Sequence, residues 1–70
     1  MNGYLIFHND RVLGERKWWR DDEYAYIWTE DEKNSILKES ESWQFKPTHI
    51  QKVVLLAGKI NRYEKIEINK

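Results

Sequence analysis

Arg16-Lys17-Trp18-Trp19-Arg20 is the stretch of this sequence where complementary chemistries lie side by side. Indole rings stack on nucleic-acid bases or anchor in pockets of a protein surface, while guanidinium groups meet phosphates and carboxylates. Tyr24, Tyr26 and Trp28 follow at alternate positions and would widen an aromatic platform, as would Phe7 upstream. Glu30-Asp31-Glu32 offers the opposite chemistry, a dock for a basic partner. These eleven residues (Arg16, Lys17, Trp18, Trp19, Arg20, Tyr24, Tyr26, Trp28, Glu30, Asp31, Glu32) are the candidate binding residues.

Reactive chemistry has little to work with. Cysteine is absent, and His8 and His49 are the two histidines. His8 and Asp10 stand two apart and would share one face of a strand, but no nucleophile is spaced to join them. Ser35, Ser40 and Ser42 lie outside any G-x-S-x-G elbow. No H-x-H, H-E-x-x-H, EF-hand, G-x-G-x-x-G or P-loop spacing occurs. The carboxylates at Asp21/Asp22 and Glu30–Glu32 resemble a glycosidase pair only in type, since 70 residues leave no room for a sugar cleft. The reading is a non-enzyme with no catalytic residue, no metal site and no cofactor.

Twelve Lys+Arg balance twelve Asp+Glu. The balance is patterned: residues 1–20 have four bases and two acids, residues 21–42 two bases and eight acids, and residues 43–70 six bases and two acids. A chain that lives by phosphate contacts shows a basic excess, so the charge favours a protein partner, one with a basic surface. The first expectation is a small protein-binding module (an adaptor, inhibitor or regulator) that occludes a partner surface with aromatic anchors inside a charged rim. The alternatives are single-stranded nucleic-acid or RNA binding through the aromatic and basic face, and a structural subunit of an oligomer whose edge strand pairs with itself. The longest apolar run, Val53–Ala57, is far short of the roughly 20 residues of a membrane span. No signal-peptide pattern opens the chain, so no membrane partner and a cytoplasmic location are expected by default. A short cysteine-free chain also fits an accessory protein of a phage or mobile element.

The elements that must position these residues read mostly as strands. Tyr4–His8 is a bounded apolar run, Asn9-Asp10-Arg11 a turn, and Val12-Leu13 a short second strand. Trp18 and Trp19 cannot both point inward from one strand, so one of them should be exposed. Glu23–Thr29 alternates and is the strongest strand pattern in the chain. In residues 30–42, Thr29 and Glu32 match a capping box, but the apolar stripe behind it is thin, so a loop is preferred to a helix. Trp43-Gln44-Phe45 reads as a short strand ended by Pro47. Thr48–Gln51 is a second capping box that would start a helix over His49–Asn61. The β-branched Val53-Val54 and Gly58 oppose it, and a strand over Gln51–Ala57 is preferred. Gly58–Arg62 then turns the chain into a last strand, Glu64–Ile68.

The fold expected is a single small domain over residues 1–70, mainly β: a small curled antiparallel sheet or barrel of SH3-like or OB-like size. The alternative is α+β with one helix near 48–61. The predicted core is Leu5, Phe7, Ile27, Val54, Leu56, Ile66 and Ile68, in which Leu56→Ala would cost about 2–5 kcal/mol.

Overall fold

Tyr4-Leu5-Ile6-Phe7 organises the sheet. In the computed structural model, which describes residues 2–68, this run lies within strand β1 (Asn2–His8). Leu5 and Phe7 point to one face and Ile6 to the other, and all three are buried. A strand buried on both faces must lie inside its sheet. β1 accordingly pairs antiparallel with β2 (Arg11–Leu13) on one side. The chain continues through β3 (Trp19–Arg20) and helix α1 (Glu30–Glu39) to β4 (His49–Leu56), which pairs antiparallel with the other side of β1. β5 (Lys59–Glu67) returns along β4, and the order is β3-β2-β1-β4-β5. The protein is thus a mainly-β, five-stranded antiparallel sheet with one short helix. The sheet is neither closed nor strongly curled, which corrects the expected barrel: its edges, β3 and β5, do not pair.

The turns follow from local chemistry. Asn9, at φ 53°, opens the turn between β1 and β2, a conformation asparagine tolerates. Lys17, at φ 63°, closes the β2–β3 loop, where Lys17 N–H donates to Gly14 O and Gly14 N–H to Trp18 O. Ala57 and Gly58, at φ 51° and 76°, make the two-residue β4–β5 turn, since a type I′ turn requires positive φ at both positions. Lys59–Arg62, expected to turn, therefore runs straight into β5.

Both faces of the sheet are covered. On one, Leu5, Phe7, Val12 and Val53 pack under Ala25 and Ile27. On the other, Ile6 and Leu13 pack with Trp28 and Ile36, ringed by Trp19, Tyr26, Trp43 and Ile50. Ile36 comes from α1, where a loop was preferred. The capping box forms in full: Thr29 Oγ1 accepts from Glu32 N–H at 3.1 Å, and Glu32 Oε1 from Thr29 N–H at 2.9 Å. Two satisfied helix-end donors and one buried isoleucine suffice where a broad apolar stripe is missing.

Residues 23–29 are not a strand. A 3-10 turn at Asp22–Tyr24 leads into an extended cover that meets the sheet only at the Tyr4↔Trp28 bridge. It takes the edge of β1 left open where short β2 ends. Gly3 lies beneath this crossing, where a Cβ would collide with the Ile27 side chain and lie 3.1 Å from Trp28 O. Trp43–Phe45 is also irregular; it follows a 3-10 turn at Ser40–Ser42 that ends α1.

His49–Leu56 is a strand, and the helix alternative over 48–61 does not form. Its inward register differs by one residue from that expected. Gln51 and Val53, opposite Leu5 and Gly3, are buried, whereas Val54 is half-buried and Leu56 is 63% exposed. The cause is geometric. β1 ends at the Asn2↔Val54 pair, so Leu56 extends past the core with nothing of β1 beside it. Ile66, on the outer strand β5, is 56% exposed, and Ile27 and Ile68 are half-buried.

Ile6→Ala should lower unfolding free energy by about 2–5 kcal/mol in urea melts, while Leu56→Ala should stay within about 0.5 kcal/mol. Thr29→Ala should cost about 1 kcal/mol and reduce the helical circular dichroism signal.

Candidate functional site

The aromatic–basic segment is split by the sheet. Trp18, in the β2–β3 loop, is 70% exposed. Trp19 sits in β3 opposite Leu13 and is half-buried. Its ring lies 5.5 Å from His8 and 6.2 Å from Trp43, and its Nε1–H donates to Phe45 O at 3.0 Å. The expectation that one of the two tryptophans is exposed therefore holds, and Trp18 is the one. Arg20 turns to the opposite face and lays its guanidinium 4.5 Å from the Tyr24 ring centroid. Tyr26 and Trp28 meet edge to face at 4.5 Å as part of the core. These residues do not gather into one platform.

The charge blocks disperse as well. Arg11 pairs with Asp21 at 3.7 Å, Lys17 with Glu39 at 3.0 Å, and Arg62 with Asp22 at 2.9 Å. Lys33 lies over Tyr4 and Lys65 over Phe7. Of the predicted acidic dock, Glu32 is committed to the capping box, while Glu30 and Asp31 remain exposed at the start of α1. Lys17, next to Trp18 in the chain, is turned to Glu39. Arg11, Lys17 and Arg62 are held by acids, and Arg20, Lys33 and Lys65 lie over rings.

Both histidines have structural partners. His8 Nδ1 lies 2.6 Å from Lys46 O and must donate to it, because a carbonyl only accepts. His49 Nδ1 meets Thr48 Oγ1 at 2.8 Å. Among the described residues, no group of three or more His, Asp and Glu side chains is placed to hold a metal ion. Among the same residues, no helix is long and apolar enough to cross a membrane.

The surface that sequence reasoning missed is the β4–β5 hairpin. β5 is exposed along its whole length. Leu56, Ile60, Tyr63 and Ile66 are exposed large apolar side chains on this one hairpin. A nine-residue strand spans roughly 30 Å, a length that only the 37 Å axis of the molecule accommodates. β5 is an edge, so half of its backbone groups face outward.

The pairing identifies which groups those are. Ile68 N–H bonds Thr48 O at one end, and the two-residue turn brackets the Leu56↔Lys59 pair at the other. In an antiparallel ladder, bonded and non-bonded pairs alternate. Counting inward from both ends leaves Ile60, Arg62, Lys65 and Glu67 with their N–H and C=O directed away from β4. The two counts are reconciled by a bulge: Gln51↔Lys65 is followed by Val53↔Arg62, so Tyr63 and Glu64 together oppose Lys52. Gln51 clamps the bulge, donating from buried Nε2 to Tyr63 O at 2.7 Å. A bulge breaks strict period-2 alternation, which is why the sequence showed a strand only over its second half.

No family model, curated protein or solved structure matches the chain.

Trp19→Phe deletes the hydrogen bond to Phe45 and should cost about 0.5–1.5 kcal/mol in denaturant melts. Trp18→Ala should stay within about 0.5 kcal/mol in the same assay, as suits a ring with most of its surface in water.

Proposed function

We propose that this protein is a structural subunit that assembles with copies of itself through the β5 edge. The observation that carries the reading is an exposed nine-residue edge strand flanked by apolar Leu56, Ile60, Tyr63 and Ile66. Such an edge is a template for another strand, and long exposed edges are normally shortened, charged or covered. The opposite edge, β3, is two residues long and offers no comparable template. A second copy presents the same strand reversed, so antiparallel pairing closes after two copies in an isologous contact.

A second reading, the aromatic-anchored protein-binding module, is favoured by Trp18, whose exposed ring stands between Arg16 and Arg20 in the chain. Nucleic-acid binding has less support, since Arg11, Lys17 and Arg62 are engaged by acids.

Sedimentation over a concentration series should show a reversible monomer–dimer equilibrium. Glu67→Pro removes an outward N–H that β4 does not use, so it should shift the equilibrium to monomer with an unchanged circular dichroism spectrum. A wild-type chain that stays monomeric into the millimolar range overturns the proposal.

A further inference from the structure

We infer that the second copy adds antiparallel to the C-terminal half of β5, with Ile66 opposite Ile66 of the second copy and each Lys65 opposite the other copy's Glu67. The inference rests on the self-association reading and specifies its register.

Backbone and side chains must both agree for a strand to add, and the bulge makes that test selective. A register centred on Tyr63 looks best by side chain alone. It matches Lys59 with Glu67, Ile60 with Ile66, and Arg62 with Glu64. The backbone forbids it, because outward Ile60 would face Ile66, whose N–H and C=O already serve the ladder to β4. A register centred between Tyr63 and Glu64 restores the backbone match but sets Arg62 directly against Lys65 twice, and like charges directly opposite are destabilising. Pairing the N-terminal half about Asn61 sets Ile60 against Arg62 and brings no opposite charges together.

The register centred on Ile66 satisfies both conditions. Lys65 and Glu67 are both outward, so each Lys65–Glu67 pair exchanges two backbone bonds and places opposite charges across from each other. Ile66 falls at the intervening non-bonded pair, where side chains approach most closely. On the same face Ile66 neighbours Ile50, which packs against the core cluster of Ile6, Leu13, Trp28 and Ile36. Pairing would therefore cover an exposed isoleucine and connect the apolar clusters of the two copies through a strip of Ile50 and Ile66 from each.

The absence of cysteine makes the register measurable. Cα atoms of a non-bonded antiparallel pair lie about 4.5 Å apart, inside the range a disulfide bridges. Ile66→Cys should form a covalent dimer under mild oxidation, whereas Tyr63→Cys should not, since its two copies would lie about 20 Å apart. Separately, Lys65→Glu should weaken dimerisation at least tenfold by sedimentation, and the exchanged variant Lys65→Glu/Glu67→Lys should restore it. Cross-linking at Ile66→Cys together with restoration by the exchange supports the register. A dimer that cross-links at Tyr63→Cys instead, or that the exchange fails to restore, overturns the register and leaves self-association standing. A wild-type chain that is monomeric at every concentration overturns both.

Discussion

The pairing of β1 with β4, from Asn2↔Val54 to Phe7↔His49, is the constraint on which the remaining structure depends. It fixes which side chains are inside. Leu5 and Phe7 face one way and Ile6 the other, so each face of the sheet needs its own cover. The chain has few residues to provide them. Ala25 and Ile27 of an irregular segment serve one face, and Ile36 of a ten-residue helix serves the other. β4 also outruns β1, so whatever pairs with its far end lies beyond the core. β5 is that element. Its first residues, Lys59 and Ile60, pair there with Leu56 and Leu55, and the rest of β5 is exposed as the outer strand of the sheet.

A small chain without disulfides has few kilocalories to spare, and its polar groups show how they are spent. The capping box starts α1 with two satisfied donors, and the His8–Lys46 bond ties the loop before Pro47 to the end of β1. Gln51 is buried for a specific reason, to hold Tyr63 O where the β4–β5 ladder breaks. Its Oε1 and the Trp28 Nε1 have no protein hydrogen-bond partner among the described residues. The three ion pairs, all between exposed side chains, contribute little to stability. Each joins a base from one of the basic blocks to an acid of the middle block.

Much of the sheet was legible in the residues, because β1 and β2 contain short apolar runs and the β-branched Val53-Val54 favour a strand over a helix in β4. The errors have distinct physical causes. Tyr24–Thr29 alternates as a strand does, but β2 and the cover compete for one edge of β1, and only Trp28 bonds there. The two capping boxes are alike in sequence. Thr29–Glu32 forms because nothing β-branched follows it closely, and Thr48–Gln51 does not because Val53 and Val54 follow. That one of Trp18 and Trp19 is exposed could be deduced from period-2 geometry, but not which, since Trp18 falls in the loop before β3. The β5 edge could not, since neither the bulge nor the overrun of β4 past β1 is written in local composition. Leu56 and Ile66 have the side chains of core residues; Leu56 is placed on the surface because β4 runs past the end of β1, and Ile66, opposite Ile50, because β5 is the outer strand of the sheet.

The extra residue at Tyr63–Glu64 gives β5 two reading frames. Before it, even-numbered residues turn their backbone groups outward; after it, odd-numbered ones do. A partner strand without a matching bulge can stay in phase with only one half, so growth along this edge is interrupted within a few residues. Removing one residue at that point would merge the frames into a single uninterrupted edge. Such an edge would no longer select one partner in one alignment, and would accept indefinite stacking of strands as readily as a defined pair.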